Sequence, residues 1–291
     1  MNRPILEPIY AYYQESQNSS FILEHHHSQY ELILVAEGRV RFCVEQTKYE
    51  LDAGDLILIS ALEKHSISIL SFPYRRYVLA VSTDFCSMHI QEPLLLSILS
   101  HRPEGFCHKI HLDASLYPQA EQHFKLLSTE ASMKEQLWQQ RSLLLLNDLL
   151  ILLFRSFQSY FLQKKDPSIL HLVIQVQKYI GLHYSEPMTL DSVASFFYIS
   201  KYYLSRVFKE VTGYGYKEYV LLYRLNQAKK MLESTNIPVL EISGLVGFKN
   251  VNHFIRVFRI HENTTPLQYR KAFILPYPHR FHRSCPNQQN R

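Results

Sequence analysis

The spacing of apolar positions changes character along the chain. Up to about residue 85, apolar side chains alternate with polar ones or form short runs: Arg39-Val40-Arg41-Phe42-Cys43-Val44-Glu45, Leu56-Ile57-Leu58-Ile59, Ser66-Ile67-Ser68-Ile69-Leu70 and Tyr77-Val78-Leu79-Ala80-Val81. A period of two belongs to strands with one face on a core. Turn signals at Glu37-Gly38 and Ala53-Gly54-Asp55 separate these runs, and many short strands predict a barrel or sandwich. From residue 89 the period becomes helical, with helices expected over Leu116 to Ala131 and Glu135 to Gln163. Leu143, Leu146, Leu150 and Leu153 have heptad-like spacing, and further leucines make the second helix apolar on several sides. Such a helix is buried or shared with a partner. Lys164-Lys165-Asp166-Pro167 reads as a linker, with Pro167 opening the next helix, and the tail 276–291, rich in Pro, His, Arg and Gln, reads as disordered.

The last third contains an imperfect repeat. Leu204-Ser205-Arg206-Val207-Phe208-Lys209 returns fifty positions later as Phe254-Ile255-Arg256-Val257-Phe258-Arg259, and upstream Ile199 matches Phe248, one residue out of phase. Each copy predicts two short helices around a tight turn. In the first, Thr189 caps a helix from Leu190, Tyr198-Ile199-Ser200 makes the corner, and a second helix runs from Lys201 to about Val211, stopped by Gly213. In the second, a helix over Glu241 to Val246 and a corner at Gly247-Phe248-Lys249 precede a helix from about Val251, capped by Asn250. The inward faces are Leu204, Val207 and Phe208, then Phe254, Val257 and Phe258. Outside stand Arg, Lys, Tyr and Asn, the side chains that a helix in the major groove uses on base edges and phosphates.

Charge agrees with that division. Residues 166–291 hold 16 Lys+Arg against 8 Asp+Glu, whereas residues 1–165 hold 15 against 18, so the basic surplus lies wholly in the repeat-bearing part. With 291 residues and 46% hydrophobic content the chain can build two cores. The greasiest run, Ser142 to Phe154, is too short for a membrane span of about 20 residues, and the start carries no export signal. Cys43, Cys86, Cys107 and Cys285 have neither close pairing nor metal-type spacing, which fits a reduced cytoplasm.

The stretch Met188-Thr189-Leu190 through Lys201 to Gly213, with Tyr219, Arg224, Ala228 and Leu232, resembles the DNA-binding domain of the AraC/XylS family of bacterial transcription regulators. Val246-Gly247-Phe248, Phe254, Arg256-Val257-Phe258 and Thr265-Pro266-Leu267-Gln268-Tyr269-Arg270 complete the resemblance. It implies two helix-turn-helix units joined by a linker helix from about Tyr216 to Glu233, reading double-stranded DNA about one turn, roughly 34 Å, apart. Base-reading positions carry over onto Tyr202, Ser205 and Arg206, and onto Val251, Asn252, Ile255 and Arg256. Lys201, Lys209, Lys249 and Arg259 are read as phosphate contacts. Tyr198 departs from the glycine common at its position, and Asn263 replaces a glycine before the Thr-Pro.

Near the amino end, His25, His27, Gln29 and Glu31 share one strand face by alternation, with Tyr30, Leu32 and Leu34 on the other. This suggests a barrel lined for a polar ligand and packed outside by another element. His26, on the opposite face, is expected at the surface. His25-x-His27-x3-Glu31-x6-Gly38, then Gly54 followed by His65, resembles a cupin, the barrel found at the amino end of many AraC-type regulators. In metal-binding cupins these three His and the Glu hold the ion. Ser60, Leu62 and Ile69 replace the second motif's Pro, Gly and Asn. His25, His27, Gln29, Glu31 and His65 are therefore expected to form an effector pocket with no cofactor, His25, His27, Glu31 and His65 being the ligands should a metal be held.

The expected architecture is multidomain, β then all-α: a cupin-like effector-binding barrel over 1–88, a helical dimerisation and linker region over 89–165, and an AraC-type DNA-binding domain over 166–275. The expected function is a sequence-specific transcription regulator, not an enzyme. It would be an activator controlled by a small polar effector, a sugar by family resemblance, and would act in the cytoplasm as a homodimer with RNA polymerase as a further partner. The alternatives are a metal-dependent cupin enzyme with a helical appendage, and a dimeric DNA-binding protein that needs no effector.

Overall fold

A computed structural model describes residues 7–17, 21–27, 29–103, 105–161 and 167–274. The expected tail over 276–291 and most of the expected linker lie outside them. The amino-terminal part comprises β1 (Ile9–Ser16), β2 (Phe21–His25), β3 (Gln29–Val44), β4 (Thr47–Leu51), β5 (Asp55–Ile59) and β6 (His65–Ser82). Next come α1 (Thr83–His89), α2 (Pro93–Ser100), β7 (Lys109–His111), α3 (Tyr117–Met133), α4 (Trp138–Ser156) and α5 (Gln158–Phe161). The carboxy-terminal part is α6 (Pro167–His183), α7 (Leu190–Phe196), α8 (Lys201–Thr212), α9 (Tyr216–Ser234), α10 (Val239–Leu245), α11 (Val251–Glu262) and α12 (Pro266–Ile274).

The strands form one antiparallel sheet in the order β1-β6-β3-β5-β7, with β2 paired to β6 and β4 to β3. β3 and β6 are long enough to serve both halves of the curled sheet, and their register shifts around Glu37 to Arg39. Gly38 sits at this bend with φ +86°, where a Cβ would lie 2.5 Å from the Pro73 carbonyl, so no side chain fits. The bend splits the sheet's apolar residues between two cores. Ile33, Val35, Val40, Phe42, Ile57, Ile59, Tyr74 and Val78 pack inside the curl. Leu32, Leu34, Leu56, Leu58, Leu79 and Val81, one residue out of phase, face outward and meet the helices.

The outward core does not stop at the barrel. It continues through α1 to α6 into the first helix-turn-helix unit, taking in Val193, Ala194, Leu204, Val207, Phe208 and the first half of α9 as far as Tyr223. The second unit has a separate core of Leu225, Ala228, Leu232, Ile242, Val246, Phe254, Val257 and Phe258. A fully buried apolar side chain contributes about 1.5–3 kcal/mol. The first unit is thus fixed to the barrel by apolar packing, while the second is carried by α9.

Two expectations about the middle region change, and one left open is decided. β7 extends the sheet where helix was expected; three residues are too few to show a period, and its Lys109 and His111 are both anchored on buried Asp55. The expected long helix breaks at Phe157, giving α4 and α5. Leu146, Leu150 and Leu153 of the heptad-like row are fully buried in the chain's own core, as is Leu149, whereas Leu144 is 70% exposed. That row covers this molecule rather than a second copy.

A polar cluster lies where the barrel meets the first unit. The buried Glu63 carboxylate sits 3.0 Å from His108 Nε2 and 3.3 Å from Arg102 Nε, and accepts the Ser60 backbone N–H at 2.6 Å. The Arg102 N–H donates to the Val211 carbonyl at 2.8 Å, near the end of α8. The Tyr214 hydroxyl, just beyond α8, meets Glu45 at 2.9 Å and the Leu62 carbonyl at 3.1 Å. Burial pushes the Glu63 carboxyl up, but Arg102, His108 and the Ser60 amide outweigh it and hold its pKa at about 2.

Tyr198 has φ 55° and is 96% exposed, at the corner where the second unit has Gly247 with φ 85°. Tyr198→Gly should therefore raise stability by roughly 0.5–1 kcal/mol. Gly247→Ala should lower it, because a Cβ there would lie 2.8 Å from the Ser185 carbonyl; thermal unfolding of the two variants moving in the same direction would contradict this. Because its folded pKa is depressed, ionised Glu63 contributes stability that is fully present above the unfolded value of 4.5 and lost as pH falls toward about 2. Glu63→Gln should cost on the order of 3 kcal/mol at pH 7. Its stability should then fall less than the parent's between those pH values in denaturant titrations.

Candidate nucleic-acid interface and effector pocket

Capping chemistry fixes the ends of the helices in both units. The Thr189 hydroxyl accepts the Ser192 N–H, and the Ser192 hydroxyl faces the Thr189 N–H in return, closing a capping box on α7. Ser200 caps α8 through the Tyr203 N–H, and Asn250 caps α11 through the His253 N–H. Gly213 and Asn263 end these two helices in the left-handed conformation, so asparagine serves where the family resemblance led us to expect glycine.

Tyr202, Ser205 and Arg206 on α8 are exposed together, with Lys201 and Lys209 beside them. The Arg206 guanidinium lies over the Tyr203 ring at 5.6 Å and 3.7 Å from Glu210, and Lys201 Nζ is 2.9 Å from Asp191. On α11 and the corner before it, Asn252, Arg256, Lys249 and Arg259 are exposed. Val251 and Ile255 are half-buried, and Ile255 packs against the second unit's core. A groove beside the α8 face is lined by Thr189, Lys201, Tyr202, Ser205, Lys217 and Arg224. Lys217, which sequence reasoning missed, is exposed, while Arg224, named there only for the resemblance, donates to the Tyr184 and Glu186 carbonyls, each at 2.7 Å, and holds α9 against the end of α6. With 19 residues, α9 is about 28 Å long, and the two units pack on its successive halves.

The barrel brings His25, His27 and His65 together. Their ligand nitrogens lie within 4.8 Å of one another, and the His25 and His65 ring centroids are 4.2 Å apart. Glu31 Oε2 is 3.5 Å from His27 Nε2 and 3.6 Å from His65 Nε2. Loop 60–64 thus delivers His65 to the cluster although it has Ser60 and Leu62 in place of the cupin residues. His27 Nδ1 is 3.1 Å from the Gln29 carbonyl and His65 Nδ1 is 3.0 Å from the Glu63 carbonyl. Both rings are therefore oriented by backbone carbonyls at Nδ1, which leaves each Nε2 directed at Glu31. Burial lowers the His65 pKa to about 3, keeping it neutral. Burial raises the Glu31 carboxyl, but the three imidazoles more than compensate and bring it to about 2. Three imidazoles, two of them oriented by backbone carbonyls, beside an ionised carboxylate are a donor set that fits a divalent transition metal.

Beyond this cluster the interior is more apolar than the His25 to Glu31 alternation suggested, and its other polar groups come from β1 and β6. Arg76 is buried, donates to Ser16 Oγ at 3.1 Å and Gln14 Oε1 at 2.7 Å, and stacks 4.5 Å over the Tyr74 ring. The Tyr74 hydroxyl is buried without a hydrogen-bond partner. Only strand pairing, which sets Arg76 opposite Gln14 and Val35, brings these groups inside. His26 also departs from expectation. It is buried, because the far face of its segment meets the second unit: its Nε2 faces Glu262 Oε1 at 3.1 Å.

Comparison with known proteins agrees with this architecture. The family model for an AraC-like ligand binding domain matches residues 8–154, and one for a helix-turn-helix domain matches residues 193–272. The chain is 26% identical over 280 residues to the uncharacterized HTH-type transcriptional regulator YfiF of Bacillus subtilis, covering 91% of this chain and 84% of that protein. It is 24% identical over 243 residues to the Msm operon regulatory protein of Streptococcus mutans, covering 83% and 84%. Among solved structures, fatty-acid-bound ToxT of Vibrio cholerae superposes with a TM-score of 0.57 at 13% identity, over 90% of this chain and 94% of that one, a likeness of fold. Ligand-binding barrel, double helix-turn-helix and full-length relatives together place the chain in the AraC family of DNA-binding transcriptional regulators.

Proposed function

We propose that this regulator is an effector-controlled activator that binds two successive major-groove faces of its operator as a homodimer in the cytoplasm. The observation that carries the DNA end is the pair of capped helices with exposed Tyr202, Ser205 and Arg206 on one, and Asn252 and Arg256 on the other, mounted on a single helix. Arg pairs bidentately with guanine and Asn with adenine. Lys201, Lys209, Lys249 and Arg259, with Lys217 on the groove's rim, supply phosphate contacts. Val251 and Ile255 offer apolar contact to thymine methyls from the edge of the second face. A second copy would dock on the outer side of α4 around Leu144, since the heptad-like row is used internally. RNA polymerase is the further partner that activation requires. Among the described residues, no helix is long and apolar enough to cross a membrane.

The effector occupies the barrel end bounded by His25, His27, Glu31 and His65, with Gln29 orienting His27 through its backbone carbonyl. A polar molecule with both donors and acceptors, a sugar among them, would direct donors at the imidazoles, while Arg76 and the Tyr74 hydroxyl supply donors for its acceptors deeper in. A second reading rests on the buried His65 Nε2, which has no hydrogen-bond partner: the same residues would hold a divalent metal that ties β2 to β6 and offers the effector a Lewis-acid anchor.

Sequencing DNA selected from a random pool by the full chain tests the DNA end. Arg206→Ala and Arg256→Ala should each cost roughly 1–3 kcal/mol of discrimination at separate base positions about one turn apart. Both variants relaxing the same position would overturn the two-unit arrangement. Elemental analysis after mild purification tests the metal. About one zinc, iron, manganese or nickel per chain, lost in His65→Ala, supports metal anchoring, and metal-free protein that stays so on addition of zinc leaves the polar pocket as the reading.

A further inference from the structure

Consecutive residues at the end of β2 face two different parts of the molecule. His25 and His27 enter the barrel cluster, while His26 between them is directed at the second helix-turn-helix unit. There its Nε2 is 3.1 Å from Glu262 Oε1, and Glu262 is the last residue of the recognition helix α11. Lys229 of α9 closes the triangle. Its Nζ donates to the His26 carbonyl at 2.9 Å and lies 3.0 Å from Glu262 Oε2. All three side chains are at most about a tenth exposed. Within the triangle one cation is balanced by one carboxylate, so opening it would leave a buried charge unmatched.

This contact matters because of how the two units are mounted. The first shares the barrel's outward apolar core, whereas the second has its own core and meets the barrel through these polar side chains. We propose that His26, Lys229 and Glu262 form a latch that sets the position of the second unit relative to the first, and that occupancy of the adjoining histidine cluster is coupled to it. The coupling rests on the effector reading above; the latch does not. The route is short: the His27 carbonyl accepts the Leu62 N–H at 2.9 Å, His25 pairs with His65 across the strands, and His26 has no freedom to move independently of its neighbours. A ligand that draws His25 and His27 toward Glu31 must shift the His26 backbone against Lys229. By linkage, the state of the latch then alters the cluster's affinity for that ligand. The latch residues are positioning residues. They touch no base, yet they govern which spacing of half-elements the recognition helices reach together.

Amide hydrogen exchange on the full chain tests both parts. Glu262→Gln, and separately Lys229→Met, should speed exchange in 21–27 and 251–262 roughly tenfold or more while leaving 201–212 unchanged. In random-pool selection the same variants should keep both sets of base preferences and accept a wider range of separations between them. The charge-reversed pair Lys229→Glu with Glu262→Lys should restore protection relative to either single change. Unaltered exchange in the single variants, or equal loosening of both units, would overturn the latch. His27→Ala tests the coupling: faster exchange in 251–262 supports it. An unchanged α11 in that variant, with the latch variants behaving as expected, overturns the coupling and leaves the latch standing.

Discussion

The outward-facing apolar side chains of β3, β5 and β6 are the constraint on which the rest of the molecule depends. A curled sheet can fill only one of its faces with its own side chains. Leu32, Leu34, Leu56, Leu58, Leu79 and Val81 are left on the other, and they need cover. The helices from α1 to α6 supply it, and the same core then runs without a break into the first helix-turn-helix unit. Because apolar burial is non-directional and proportional to area, this junction is stiff in aggregate without depending on any single contact. The effector barrel and the first DNA-reading element therefore behave as one body.

The second unit is held by different physics. Its core is closed on itself, α9 carries it, and its direct tie to the barrel is a small set of buried charges and hydrogen bonds. Polar contacts of this kind are directional, and their strength collapses when one partner moves. A device that must hold one arrangement firmly and still give it up on a signal is better built from such contacts than from a continuous apolar seam. The two copies of the repeat are thus alike in their capped helices and unlike in how they are anchored. The corners differ too: left-handed Tyr198 stands free in solvent, whereas Gly247 is pressed against the Tyr184 and Ser185 carbonyls.

The histidine cluster shows how one short segment can serve two ends. Alternation along 25–27 sends two imidazoles to Glu31 and His65 and one to Glu262. Loop 60–65 does the same on the other side. His65 joins the cluster, while Glu63 and the Leu62 carbonyl engage Arg102 and Tyr214 near the end of α8. Both segments that build the cluster therefore touch the DNA-binding part, one at each unit.

The sequence alone determined what depends on local chemistry. The change of hydrophobic period divided the chain. Thr189, Ser200 and Asn250 declared the helix starts, and Gly213 with Asn263 the ends, because caps act within one turn. The repeat exposed equivalent positions such as Arg206 and Arg256, and alternation put His25, His27 and Glu31 on one face. Only the tertiary structure decided what depends on distant partners. β7 was too short to show a period, Arg76 and Tyr74 became interior groups through pairing with β1 and β3, and the heptad-like leucines of α4 turned out to serve their own chain. His26 looked like a surface histidine because its partners, Lys229 and Glu262, lie more than two hundred residues away. Periodicity assigns a side chain to a face of its strand; it takes the folded chain to determine what that face meets.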